Sequence, residues 1–539
     1  MRITRNVAPV FLLVLLGAML AGLPIALAGR SADYEWFDPI ILVRRHLLDS
    51  YVEKPDEEAM QQLMIIAMID ALDDPYTVYV PSAGEAEFNK DMRGTYVGIG
   101  AEVIIDNEYL TIVTPMEDSP ALEAGVRAGD IVLEIAGVTV DNKPINECID
   151  LLLGEAGTEV TIHVRHLDGV EEDLSIVRQR IMTPTVKGVR RDGEKWDYWL
   201  DEQLGIGYIR VTQFTNTSIA HLREALTGLD NGGLRGLIFD LRDNPGGDLA
   251  VAIKTADLFL SEGLIVSVRG RARRPKSWHA APQETFLGFP MVVLVNGFSA
   301  SASEIVAGAL QENGRAKVLG TRSYGKGSVQ EVRNLPNDRG MLKLTTGHYY
   351  LASGRNLARK SGRAVWGVDP DPGFIVGMSD RAHRDMIMAR RLFEVIRPGA
   401  AAIEVAPDPE WIRAVRKDQQ LAAALETLQG RLRGGRWLVV GAEDGTQLAL
   451  DDTIRRHLAV RRRHLDQLRV LNDRLRDLLE MAVEAGSSPL FPPDTDPAGG
   501  TLSVHDADGN LIGSFRILGE DLELALRQTR LEPLGPDPR

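Results

Sequence analysis

Cysteine is the residue this chain most nearly lacks, with Cys148 alone among 539 residues. A single thiol excludes an intramolecular disulfide framework and supplies no cysteine metal cluster, while leaving the cellular compartment undecided. Positive charge is short too: 61 Lys and Arg face 76 Asp and Glu, for a formal net charge of −15. That balance argues against nucleic acid as the main partner. Two ready-made catalytic signatures are missing as well. No Gly-x-Ser-x-Gly elbow surrounds the central serines: Ser299 follows Gly297 but has Ser301 where the second glycine belongs, and Ser301 has serines to either side. The phosphate-loop spacing Gly-x-x-x-x-Gly-Lys-[Ser/Thr] is absent around Lys326. Of ten histidines, only His279 and His348 fall near this region, neither in a catalytic pattern. The remaining composition, 44% hydrophobic and 25% charged, is that of an ordered globular chain, with room for about three or four domains.

The informative stretch runs from Phe239 to Gln330. Gly236 to Leu241 is mostly apolar and breaks into Arg242-Asp243-Asn244-Pro245-Gly246-Gly247, the pattern of a buried strand ending in a tight turn. Paired glycines there let backbone N–H groups approach a ligand closely. Met291 to Val295 is a second buried-strand pattern, followed by Ser299-Ala300-Ser301-Ala302-Ser303-Glu304 and a helical run to Leu310. A serine therefore falls where strand turns into helix. Ser301 with Glu304 fits a Ser-x-x-Glu capping box. The same position suits a nucleophile, because free N–H groups at a helix start can stabilise an oxyanion. A serine hydroxyl needs a base, and with no suitable histidine, lysine is left. Tyr324-Gly325-Lys326-Gly327-Ser328-Val329-Gln330 sets Lys326 between two glycines. Acting as a base requires its pKa to fall through burial or a nearby positive field, whereas an ordinary Gly-Lys-Gly is a solvated turn.

These three blocks, in this order and spacing, resemble the signature blocks of the carboxy-terminal processing peptidases, or tail-specific proteases. The resemblance implies Ser301 as nucleophile, Lys326 as general base and Gln330 as the residue that orients the lysine. It also implies an oxyanion hole from the backbone N–H groups of Ala302 and of Gly246 or Gly247. Ser299 and Ser303 are the rivals of Ser301. Met341 to Tyr350, Ser353-Gly354-Arg355 and Gly367-Val368-Asp369-Pro370-Asp371 resemble framework segments of the same family.

Upstream, Tyr96 to Val103 and Ser119 to Val138 resemble a PDZ domain, a fold that adds a peptide as an extra strand and captures its terminal carboxylate. Gly98, Ile99 and Gly100 are the expected carboxylate loop. A helix near Pro144 to Leu153 would wall the groove, with Ile149 and Leu152 as candidates to hold an apolar terminal side chain and core packing expected for most of Leu151 to Leu153. Ala136 departs from the Asn or Asp usual at its turn. The run Leu72-Asp73-Asp74-Pro75-Tyr76-Thr77 resembles a structural family segment and carries no expected chemistry.

At the N-terminus, Arg2 and Arg5 precede an uncharged stretch from Ala8 to Ala28 that ends Ala-Leu-Ala. This fits a secretory signal, and its length also suits an uncleaved membrane anchor. Apolar spacing predicts two or three helices between Asp38 and Leu72. Gly205 to Val211 is a strand candidate, and Ser218 to Leu229 and Leu249 to Leu260 are helix candidates, so alternating elements indicate an α/β layer architecture. The resemblance refines this to the layered fold of Clp-type and crotonase-like proteins. Arg269, Arg271, Arg273, Arg274 and Lys276 read as a solvated loop. Helices are expected at Trp411 to Val415, Gln420 to Leu432 and Thr453 to Glu484, the last with Leu468, Leu471, Leu475 and Leu478 on one face. Ser487 to Gly500 reads as a linker, and Thr501 to Ile517 as a hairpin.

The expected organisation is 1–30 signal or anchor, 31–92 helical segment, 93–182 PDZ domain, 183–435 peptidase core and 436–539 C-terminal extension. The function this implies is an exported serine endopeptidase that recognises protein C-terminal tails and cleaves with a Ser-Lys dyad. No metal or organic cofactor is implied. The partners would be substrates with free C-termini, with a membrane anchor and a homo-oligomer or adaptor left open. A catalytically silent peptide-binding scaffold of the same fold is the rival, and a changed serine, lysine or glutamine would have favoured it.

Overall fold

The computed structural model describes residues 35–85, 95–106, 108–182, 184–337, 339–359, 365–397 and 403–444, single helical residues between 461 and 474, and the strands Thr501–His505, Leu511–Ile517 and Leu531–Pro533. The signal or anchor segment and the linker at 487–500 lie outside these residues, as do Leu475 and Leu478. Among the described residues no helix is long and apolar enough to cross a membrane.

Residues 35–50 and Glu57–Asp70 are helical. The second helix is capped by the Asp56 carboxylate, which accepts from the Glu58 and Ala59 N–H groups at 3.0 Å. Apolar spacing gave these helices, yet it is not met by burial: Trp36, Phe37, Ile41, Leu42, Leu63, Met64 and Met68 are exposed.

The PDZ module follows. Strands β1 (Ala101–Asp106) and β2 (Tyr109–Pro115) pair antiparallel and continue through Ile131–Ile135, Glu159–Arg165 and Glu171–Val177. Alternation along Glu159–Arg165 sends Val160, Ile162 and Val164 inward, where they meet Leu110, Ile112, Ile135 and Cys148. Helix α1 (Ile145–Leu152) lies where the sequence placed it. At the turn in doubt, Ala136 and Gly137 both have positive φ, 50° and 75°. That geometry favours Asn or Asp before Gly, so Ala136 carries local strain there.

The catalytic body is built on a mixed sheet. Strands β3 (Ile206–Val211), β4 (Gly236–Asp240), β5 (Met291–Val295) and β6 (Lys317–Gly320) run parallel in that order, and Val186–Lys187 and Trp199–Asp201 pair antiparallel with β3. β3, β4 and β5 are buried along their whole length, as parallel strands covered on both faces must be. Helices Ser218–Asn231 and Leu249–Asp257, and helix α2 (Ala302–Glu312), supply covering elements. A second sheet contains β7 (Ser328–Asn334) and β8 (Met341–Tyr350) beside Val78–Val80, Leu264–Gly270 and Arg273–His279. The basic run expected as a loop is therefore a β-hairpin. Its cations stay near solvent along the strands, with Arg269 4.5 Å from the Tyr350 ring centroid and Lys276 4.8 Å from that of Trp278. Helix α3 (Asp380–Glu394), Pro409–Val415 and helix α4 (Gln419–Gly434) complete this part, α4 packing on β4 and β5.

The chain divides into two compact units, Met1–Pro370 with Met378–Val439, and Asp371–Gly377 with Val440–Arg539. In the second, Gly373 and Ile375 exchange backbone hydrogen bonds with Val440, Gly441 and Ala442. Thr501–His505 pairs antiparallel with Leu511–Ile517, the expected hairpin, and Leu531–Pro533 adds a third strand.

Candidate active site

Each of the three motif blocks begins at the carboxyl end of a parallel strand: the Asn-Pro-Gly-Gly turn after β4, the serine turn after β5 and the Gly-Lys-Gly loop after β6. These strands are neighbours, so parallel order alone brings together segments up to about 80 residues apart in sequence. Side chains lock the turns to one another. Asn244 donates to the Val211 carbonyl at 2.8 Å and accepts from the Gly246 N–H at 2.8 Å. Its own carbonyl accepts from the Ala300 N–H at 3.0 Å and the Ser303 hydroxyl at 2.9 Å. The Tyr324 N–H donates to the Ser299 carbonyl at 3.0 Å.

The three serines of the run differ in their contacts. Ser299 and Ser303 are fully buried, and their hydroxyls donate to the Leu241 and Asn244 carbonyls at 2.8 and 2.9 Å. Ser301 is half-buried and heads α2 with φ 55° and ψ −111°. A non-glycine residue at positive φ is held there by its surroundings and marks a strained turn.

Glu304 has a larger role than helix capping. Its buried carboxylate accepts from the Ser301 N–H at 2.8 Å and the Lys326 N–H at 2.9 Å on one oxygen. The other accepts from the Ser323 hydroxyl at 2.5 Å and the Gly325 N–H at 2.6 Å. One side chain thus fixes the serine turn and the lysine loop to each other. Burial raises its pKa, and these four hydrogen bonds oppose the rise. The flanking glycines are required: a Cβ on Gly325 would meet Trp366 at 2.5 Å, and one on Gly327 would meet the Ala358 nitrogen at 2.0 Å.

Lys326 is partly buried, and burial, seconded by the positive charge of Lys343, lowers its pKa against the opposing pull of Glu304. Its Nζ lies 5.2 Å from the ring centroid of Tyr76. No hydrogen bond joins it to the Ser301 hydroxyl among the described residues. Gln330 donates through Nε2 to the hydroxyls of Ser328 at 2.8 Å and Thr345 at 3.3 Å, so its observed partners are these rather than Lys326. Thr345 is held in turn by its N–H on the Thr77 hydroxyl at 3.1 Å. The segment from Asp74 to Thr77, expected to carry no chemistry, therefore lines the lysine. No local pattern marks Tyr76 or Thr77 as site residues, because their partners lie more than 240 positions away in the sequence.

For the oxyanion, Ala302 opens α2 and Gly247 is exposed at φ 143°. The Gly246 N–H is engaged by the Asn244 side chain at 2.8 Å. Gly246 packs against the serine turn, where a Cβ would lie 2.9 Å from Ser301 Cβ.

Beneath the turn, Arg242 is fully buried between Asp240, at 2.6 Å, and Asp418, at 2.8 Å. Tyr208 donates to Asp240 at 2.8 Å and Gln420 accepts from Arg242 at 3.1 Å, so the buried charges are paired and hydrogen-bonded.

In the PDZ module, Gly98, Ile99 and Gly100 form a buried loop whose Ile99 and Gly100 carbonyls accept from the Ala121 and Met116 N–H groups at 2.8 and 2.9 Å. A Cβ on Gly100 would meet Ser119 at 2.5 Å. Leu152 is buried in the module's core, with Leu151 packed against it, so Leu152 does not face a groove. The helical turn points it inward beside Cys148, and Ile149 remains half-buried.

Residues 205–373 match the model of peptidase family S41 and residues 111–166 match a PDZ domain model. A carboxy-terminal-processing protease of Bartonella bacilliformis is 35% identical over 404 residues, covering 71% of this chain and 86% of that relative. The carboxy-terminal processing protease CtpA of Bacillus subtilis is 32% identical over 324 residues, 60% of this chain and 67% of the relative. Among solved structures, a photosystem II D1 C-terminal processing protease is 27% identical, with a TM-score of 0.37 over 63% of this chain and 86% of that one. On the length and identity of the match to the Bartonella bacilliformis relative, the chain belongs to the carboxy-terminal processing proteases, serine-type peptidases of family S41 that carry a PDZ domain.

Proposed function

We propose that this peptidase cleaves exported proteins selected by their C-terminal tails, using Ser301 as nucleophile and Lys326 as general base. The observation that carries the reading is the serine turn: Ser301 is the only member of the triple-serine run whose hydroxyl is not buried against a backbone carbonyl. It stands at a helix start opposite a glycine turn, with a depressed-pKa lysine on the adjoining loop. Lys326 takes the hydroxyl proton as Ser301 attacks the peptide carbonyl. The N–H groups of Ala302 and Gly247 hold the oxyanion, the amine leaves with a proton, and water releases the acyl-enzyme. Before the attack the Lys326 side chain must leave the Tyr76 ring and reach Ser301, a tightening common when substrate enters an open site. The PDZ groove between β1 and α1 receives the tail as an added strand, with its carboxylate at Gly98 to Gly100.

The test is cleavage of an unfolded protein with an apolar C-terminus by the full chain. Ser301→Ala should abolish turnover, and Lys326→Ala should lower kcat by about 10²–10⁴, both with unchanged circular dichroism. Full activity in either variant removes that residue from the dyad. Export rests on the N-terminal sequence and is checked by cell fractionation, where retention of the protein in the cytosol would end it. The exposed apolar side chains of 35–72 suit a second copy of the chain, and a monomer by sedimentation at micromolar concentration would exclude that partner.

A further inference from the structure

Away from the peptidase site, a cavity of about 230 Å³ lies where the PDZ module meets the catalytic body. Its PDZ wall is the end of β2, Val113 to Pro115, with Glu102 of β1. The opposite wall carries Lys187, Arg191, Trp196, Arg210 and Arg390. The cations there outnumber the carboxylates able to pair with them. Glu394 alone serves three: Lys187 at 3.2 Å, Arg390 at 3.3 Å, and Arg210. Arg390 lies 3.7 Å from Asp243 Oδ2, a buried oxygen that makes no hydrogen bond, while His383 and Asn296 hold the other oxygen of that carboxylate at 2.9 and 2.8 Å. Arg191 pairs with Glu117 at 2.7 Å and stacks 3.9 Å from the Trp196 ring centroid.

Three buried donors of these same lining residues have no acceptor: Arg191 Nε, Arg390 Nη1 and Trp196 Nε1. Arg191 and Arg390 are each 9% exposed, too buried for bulk water to compensate. Burial also depresses the Lys187 ammonium despite Glu394, with Arg210 adding to the depression. A buried donor left unmatched is costly, and a cluster of them around one cavity specifies a ligand with several acceptor oxygens and negative charge.

We propose that this cavity binds one small tetrahedral oxyanion, of the phosphate or sulfate class, between the PDZ module and the catalytic body. Such an anion matches the three unpaired donors and shares the cations now crowded on Glu394. Because its walls come from both parts, the anion joins them, beside the bond from the Ile396 N–H to the Thr114 hydroxyl at 3.1 Å. The inference does not depend on the catalytic dyad, and its readouts are independent of proteolysis.

The experiment titrates the full chain with inorganic phosphate, sulfate and acetate against chloride at matched ionic strength, by calorimetry, thermal unfolding and hydrogen exchange. Phosphate and sulfate should bind saturably at one site, raise the unfolding midpoint, and slow exchange at both 113–117 and 387–396. Trp196→Phe removes one unpaired donor and keeps the ring, and should weaken phosphate by about tenfold. Lys187→Met should weaken it similarly. Non-saturable effects, protection elsewhere, unchanged affinity in both folded variants, or binding of acetate alone would each overturn the proposal.

Discussion

A lysine serves as a base only when its surroundings disfavour the ammonium. At Lys326 partial burial acts first and the like charge of Lys343 second, while Glu304 pulls the other way. The folded pKa therefore lies below the ordinary 10.5, so the neutral, proton-accepting form appears at lower pH than for a free lysine. The acid limb of kcat against pH should rise through this lowered value. Lys343→Met removes one of the two depressing influences, so Lys326 holds its proton to higher pH and the limb moves to the alkaline side. Activity near neutrality then falls while the alkaline plateau is retained. A pH–kcat profile on a tailed substrate measures this, and an unmoved limb would show that Lys326 does not set it. At this scale the sequence was partly legible. It could single out Ser301 and Lys326 as candidates because both sit inside short local patterns. It could not show that Glu304 clamps both loops, since Ser-x-x-Glu looks the same whether the carboxylate merely caps a helix or also accepts bonds from a loop twenty residues on.

Turns and helices set the next level of precision. Gly246 has φ 107°, and a Cβ there would lie 2.8 Å from the Ala300 carbonyl and 3.0 Å from the Ala302 nitrogen. Gly246→Ala must therefore push the glycine turn away from the serine turn. Since electrostatic catalysis depends on donors fixed within tenths of an ångström, kcat should fall by about 10²–10³, the usual effect of losing one oxyanion donor. Strain at positive φ should also lower stability by about 1–3 kcal/mol. Gly228→Ala in helix Ser218–Asn231, where a Cβ meets nothing within 4 Å, is the matched control. Equal activities in the two variants would separate the glycine turn from catalysis. Elements were the most legible level, because β4 and β5 read as unbroken apolar runs with the glycine and serine motifs directly after them, whereas the four-residue β6 ahead of the lysine loop is too short to stand out. The failures have local causes. The hairpin Leu264–Gly270 to Arg273–His279 was hidden by its charges, which tolerate a solvent-facing strand as readily as a loop. Leu152 was misplaced because one helical turn carries both groove and core faces, and side-chain direction is not readable from composition.

Across the whole molecule, the PDZ module and the site are linked by named contacts. Glu102 of β1, the strand that would receive a tail, pairs with Arg391 of α3 at 3.9 Å. Helix α3 also carries His383, bonded to Asp243 at 2.9 Å, and Asp243 precedes the glycine turn. A strand added beside β1 would act on an element that reaches the glycine turn through two polar contacts. Deleting the module, Arg93 to Arg178, should accordingly alter regulation as well as affinity. A finer cut is Glu102→Gln, which breaks the first contact and keeps the groove. Both partners are substantially exposed, so the pair contributes at most about 1 kcal/mol. The ratio of rates on tailed and tail-free substrates should therefore fall by no more than about fivefold, with tail affinity nearly unchanged. Raising salt to about 0.5 M should shift the ratio in the same direction, by less, in the unsubstituted protein, since salt weakens exposed ion pairs. A ratio unaffected by the substitution, the salt and the deletion alike would mean that the module only collects substrate. The sequence set the two parts side by side, but the contacts joining them pair residues 289 and 140 positions apart, and such pairs become visible only when the chain is folded.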